Sequence, residues 1–236
     1  MAESGETTQV FQNGWTALRN NPVLAVPPLI AGLLLMFLSY VFIGSVALGL
    51  TGAMMGGPGV RMGSIGAMAG AGLLMMGLSF FLTMVAWGMT VAMAEDALRG
   101  GSASLGSGIE ASKRRLGDLL IASVLTSIII MIGMFLLVVP GIVAAFFLLY
   151  TLPAVMVGGM NGTGALGASA RMVSGRLGES LLLAVGLIVI AVAVGIVGMI
   201  FHFVPVLGPI ASVILQAAMG AYAITVIVAA YRRAGG

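Results

Sequence analysis

Apolar residues run through this chain in long blocks, without the one-sided stripes of a soluble domain. Six stretches, at about 23–50, 67–94, 119–139, 142–160, 181–204 and 210–230, contain no Asp, Glu, Lys or Arg. A hydrocarbon core about 30 Å thick needs roughly 20 apolar residues of helix. A charge at mid-span costs about 2.5–3.5 kcal/mol. The period-two pattern of an outer-membrane barrel is absent. The predicted fold class is therefore all-α: a polytopic transmembrane helical bundle of six spans, with residues 1–236 as a single integral membrane domain.

The third and fourth stretches form one uncharged run, 119–160, of 42 residues. As one helix it would be about 63 Å long, twice what a bilayer accepts. Pro140-Gly141 is the paired breaker near its middle, since Pro lacks an N–H and Gly tolerates positive φ. A tight hairpin is expected there. The alternative is a re-entrant pair, which requires its bent backbone to be shielded by protein.

With six spans, Arg19, Arg99, Lys113, Arg114, Arg115, Arg171, Arg176, Arg232 and Arg233 all fall on one side, and only Arg61 on the other. The positive-inside rule then makes both termini cytoplasmic. Five or seven spans would scatter those residues over both faces. Trp15 and Tyr231 fit the headgroup zone on the same side. The first 21 residues lack the basic region and short apolar run of a cleaved signal peptide, so the first span is expected to stay as an anchor.

Three segments enter a span alike. Arg19-Asn20-Asn21-Pro22-Val23-Leu24, Arg115-Leu116-Gly117-Asp118-Leu119-Leu120 and Arg176-Leu177-Gly178-Glu179-Ser180-Leu181 share Arg, any residue, Asn or Gly, then Pro, Asp or Glu, any residue, Leu. Pro is favoured at a first helical position, and a carboxylate there meets the positive end of the helix dipole. Upstream, Leu105, Ile109, Ser112 and Leu116 match Leu166, Ala170, Val173 and Leu177 at a constant offset of 61. Phe11, Trp15 and Leu18 give a similar stripe in a shifted register. The expectation is a threefold repeat of amphipathic helix plus transmembrane hairpin.

Gly14-Trp15 through Asn21-Pro22-Val23-Leu24, the Val139-Pro140-Gly141-Ile142 turn, Ala165-Leu166 through Ser169, and Val173 to Gly175 together resemble an uncharacterised six-span integral membrane family of bacteria and archaea. That family is related to the membrane domain of some glycerophosphodiester phosphodiesterases. The resemblance implies the six-span fold and carries over no catalytic residue. No phosphodiesterase domain accompanies it here, and the Met/Gly-rich second connection departs from the family.

Composition fits the lipid reading: 60% of residues are hydrophobic and 7% charged, against about a quarter charged in soluble domains. The sequence has no Cys, which excludes disulfides and thiolate chemistry. Its net charge of +3 is too small for a nucleic-acid footprint.

Candidate chemistry is sparse. His202 is the one ionisable side chain placed inside a span, at interface depth and without a carboxylate nearby. Met54, Met55, Met62 and Met68 in the outer connection, with Met75 and Met76 beyond it, carry soft thioethers that can select Cu(I), but Met also serves as an adaptable packing residue. Gly66 with Gly70, and Ala217 with Ala221 beside Gly220, have the spacing for close helix approach, and Gln216 suits an interhelical hydrogen bond. Glu95-Asp96 before Arg99, and Glu110 before Lys113-Arg114, read as salt-bridged, solvated surface helix.

No catalytic, cofactor-binding or metal residue is assigned and no cofactor is expected. The expected function is that of a non-enzymatic integral membrane protein of the cell membrane, a scaffold or accessory subunit. Its partners would be the lipid bilayer and a membrane protein or a second copy, without nucleic acid. A small-solute transporter or channel is the alternative, suggested by the repeats and by Pro27-Pro28, Pro140-Gly141 and Pro153 as helix breaks.

Overall fold

The computed structural model describes residues 2–55, 58–201 and 207–235, and the side chains among these except 2–7, 53, 58–62, 64 and 65. Every described element is helical: α1 (Ala2–Asn20), a 3-10 turn (Pro22–Ala25), α2 (Val26–Met55), α3 (Pro58–Leu98), α4 (Leu105–Arg114), α5 (Leu116–Leu136), α6 (Val138–Phe147), α7 (Thr151–Met156), α8 (Gly162–Gly175), α9 (Leu177–Phe201) and α10 (Leu207–Arg233). Six segments are long and apolar enough to cross a bilayer: Pro22–Gly52, Gly66–Leu98, Leu116–Leu136, Val138–Met156, Leu177–Phe201 and Leu207–Arg233. The chain is an integral membrane protein.

Contacts divide the chain into two compact units, 30–83 and 1–29 with 84–236. In the first, the α2 and α3 segments meet through Gly49 against Met68 and Gly72 against Phe42. The Met-rich segment expected as a connecting loop is largely helix, since α2 continues to Met55 and α3 begins at Pro58.

In the second unit the core gathers near the charged helix ends. Ala17, Leu24, Val91, Met93, Ala221 and Val228 form one cluster. Val10, Leu183, Leu187, Val226 and Ala229 form another. Farther along α9, Ile188, Val189, Val192, Ile196 and Ile200 are exposed, as suits a lipid-facing wall.

The third and fourth spans do form a hairpin, but Pro140-Gly141 is not its turn. The chain reverses at Leu137, which is extended (φ −166°, ψ 147°), and α6 starts at Val138. Pro140 sits in the first turn of α6, where its missing N–H would have had no partner. Gly141 instead lets α6 lie against α5: a Cβ on Gly133 would come within 2.8 Å of the Gly141 Cα. Pro22, Pro27, Pro28, Pro58, Pro153 and Pro209 likewise stand in first turns. The described prolines start helices instead of breaking them. The hairpin tip has no polar side chain: Phe135, Leu136, Leu137, Val138 and Val139 are all exposed.

The fourth span is interrupted at Leu148–Tyr150, between α6 and α7. Ser169 of α8, fully buried, bridges the gap. Its hydroxyl accepts from the Tyr150 N–H at 3.0 Å and donates to the Phe147 carbonyl at 2.8 Å. One side chain thus satisfies two backbone groups freed by the break, which lipid could not do.

The short helices turn mostly small residues toward protein, Ser112 and Val173 of the matched stripes among them. Val10, Gly14 and Ala17 of α1 are buried, while Trp15 is exposed and Phe11 and Leu18 are half-buried. In α4, Gly108 and Ser112 are buried and Ile109 is exposed; in α8, Ala165, Ala168, Ser169 and Val173 are buried. Beyond them Leu116 and Leu177 are exposed. Small residues face protein because close approach demands it: a Cβ on Gly108 would meet Met93 at 2.9 Å. Lipid tails are as apolar as Leu, so the larger side chains gain nothing by turning inward.

Candidate functional site

Charged residues from distant parts of the sequence converge at one end of the second unit. Glu95 near the end of α3 accepts from Arg99 at 2.6 Å and lies 3.7 Å from Arg232 of α10. Arg233 donates to Gln9 of α1 at 3.0 Å. Arg99, Arg232 and Arg233 of the expected one-sided group are thus gathered here. Arg61 belongs to the other unit and its side chain lies outside those described.

Two expectations are corrected here. Glu95 was read as solvated surface but is only 8% exposed, because it sits between two guanidiniums. Tyr231, expected among headgroups, is fully buried, and its hydroxyl rests against Gly158. Trp15 is exposed and meets Tyr222 edge-on. Glu110 and Arg114 form the expected pair in the open.

Two of the three span-entry segments act as clasps on the connection that leads into the next short helix. The Asn21 side-chain oxygen accepts from the Ala103 N–H at 3.1 Å, just ahead of α4. Arg115 donates to the Gly159 carbonyl at 2.7 Å, and Asp118 accepts from the Gly162 N–H at 3.2 Å. Gly162 opens α8, so Asp118 joins Asn161, which accepts from the Gly164 N–H at 2.8 Å, in capping that helix. Replacing Asp118 with Ala should lower stability by about 1 kcal/mol, the worth of a helix cap, as read by thermal unfolding in detergent.

The third entry segment makes a different contact among the described residues. Arg176 turns to Glu179 at 3.4 Å, beside a cavity of about 40 Å³ lined by Val10, Tyr150, Ser180, Leu183 and Arg233 among others. Tyr150 and Ser180 are buried and their hydroxyls hydrogen-bond to each other. Sequence reading missed this cavity because α1, the Leu148–Tyr150 break, α8, α9 and α10 build it jointly. Its traceable signal was the recurring Arg-x-Gly-acidic pattern.

The other singled-out residues do not assemble. His202 lies outside the described residues, as does the Met62 side chain. Met54, Met55 and Met76 are exposed, while Met68 packs toward Gly49. Gly66 and Gly70 meet nothing within 4 Å among the described residues, so no close approach is made there within the chain. Ala217 and Ala221 are buried, and Gly220 packs against Trp87. Among the described residues Gln216 makes no interhelical hydrogen bond; it is exposed at a groove of about 570 Å³ between α9 and α10. Among the described residues, no three His, Cys, Asp or Glu side chains are placed to hold a metal ion. No protein-family model, curated protein or solved structure matches the chain.

Proposed function

We propose that this integral membrane protein is a non-enzymatic scaffold or accessory subunit of the cell membrane, with both termini cytoplasmic and a charged inner surface that binds anionic lipids and membrane partners. A threefold repeat of short helix and hairpin underlies the reading. The observation that carries it is the placing of Arg19, Lys113 and Arg171. Each is exposed and makes no ion pair or hydrogen bond among the described residues, and each stands on a different short helix. Exposed Trp15 and Ile109 accompany two of them. Cations free to turn outward beside apolar residues suit a headgroup layer. Glu95, Glu110 and Glu179, by contrast, are each engaged by an arginine, an arrangement that favours a structural over an acid–base role.

Each cation near an anionic surface contributes about 1 kcal/mol. Changing Arg19, Lys113 and Arg171 together to Gln should therefore reduce the preference for phosphatidylglycerol over phosphatidylcholine by up to about 3 kcal/mol. Lipid enrichment in mixed nanodiscs reads this directly, and high salt should screen most of it. Gentle extraction followed by native mass spectrometry should find a partner protein or bound lipid. A bare monomer, or robust solute uptake in proteoliposomes, would overturn the scaffold reading.

A further inference from the structure

The third entry segment makes different contacts from the other two. Arg115 donates to a carbonyl oxygen at 2.7 Å; Arg176, at the matching position, pairs with Glu179 among the described residues. Connecting segments are held at the first two entry segments, and a cavity stands at the third. We propose that this cavity binds a phosphate group, carried by a phospholipid headgroup or free in solution. The proposal rests on the repeat and the lipid-binding surface set out above.

Size, charge and chemistry agree. About 40 Å³ accommodates roughly three water molecules, close to the bulk of a phosphate. Arg176 and Arg233 with Glu179 leave one net positive charge on the wall, matching the single negative charge of a phosphodiester. Guanidinium presents N–H donors in a fork suited to phosphate oxygens. The Tyr150 and Ser180 hydroxyls, 4% and 1% exposed, hold two protons and spend one on each other, so one is available to a ligand. The N-terminus of α9 adds the positive end of its dipole. Leu177 and Leu181 are exposed beside the site and offer acyl chains an apolar surface.

The test uses the full chain in detergent, stripped of lipid. Inorganic phosphate, phosphatidylglycerol and a phosphate-free glycolipid of equal chain length are added separately, and stoichiometry and affinity are read by native mass spectrometry and thermal shift. A one-to-one complex with a phosphate-bearing probe, absent with the glycolipid, is the expected result. Binding of phosphate alone would identify the free anion as sufficient; binding of the phospholipid only would identify the headgroup. Arg176→Gln and Arg233→Gln should each weaken the complex about tenfold or more, the scale of a charged hydrogen bond. Tyr150→Phe, which removes one hydroxyl, should weaken it severalfold. Equal response of the unmodified chain to the glycolipid, or no response to any probe, would overturn the proposal whatever the variants do; so would full affinity in folded variants. The Arg19, Lys113 and Arg171 triple variant separates the two readings. It should keep the one-to-one complex while losing bulk anionic enrichment, and loss of the complex alone would leave the scaffold function standing.

Discussion

Replacing Gly133 with Val is expected to cost about 3 kcal/mol or more and to prevent the α5–α6 hairpin from closing. Even one added carbon would lie 2.8 Å from the Gly141 Cα and 2.9 Å from its nitrogen. These are backbone atoms of the facing helix and cannot swing aside as a side-chain tip can. Overpacking in a tight core costs about 1–3 kcal/mol, and a branched side chain against a main chain belongs at the top of that range. SDS-titrated unfolding in mixed micelles measures the effect, with Gly117→Ala as control. Gly117 sits in the first turn of α5 and meets nothing within 4 Å, so its substitution should be neutral or stabilising by up to about 1 kcal/mol. Equal behaviour of the two variants would mean that the hairpin is not closed by glycine contact.

The second large effect is expected at Ser169. Its hydroxyl is the partner of both Tyr150 N–H and Phe147 C=O at the interruption of the fourth span. Ser169→Ala leaves both groups unpaired, at about 1–3 kcal/mol each, for a total of roughly 2–6 kcal/mol. Faster amide exchange at 148–151 should accompany the loss. Ser169→Thr retains the hydroxyl but adds a methyl at a fully buried site; it should recover the exchange protection yet not all of the stability. If the Ala variant unfolded like the parent, the break would have to be satisfied some other way.

How far the sequence alone reaches can be seen residue by residue. Uncharged stretches located all six spans, since the cost of a charge in lipid leaves few exceptions. The entry pattern at Arg115 and Arg176 marked true helix starts. The turn at Leu137 was misplaced by three residues because Pro140 was taken as the reversal, whereas a proline is equally at home just after one. Which side of each short helix meets protein was not legible for a deeper reason. Leu105, Ile109, Ser112 and Leu116 share a stripe, but hydrophobic transfer gives the large side chains no inward pull against a lipid tail. Steric fit then decides, and it buries Gly108 and Ser112 while Ile109 and Leu116 stay exposed. Burial of Glu95 was hidden for a third reason: Arg99 lies four positions away, but Arg232 comes from the far end of the chain. The cavity at Arg176 depends on such distant meetings throughout.

The five-residue tip at 135–139 bears on biogenesis. With no polar side chain for water to hold, it gives the first helix of the pair no stable resting place of its own after leaving the ribosome. Lodging in the bilayer then becomes one event for both helices, completed only when Gly141 has emerged to meet Gly133. A chain stalled before that residue should remain with the insertion machinery, while one stalled shortly beyond it should partition freely.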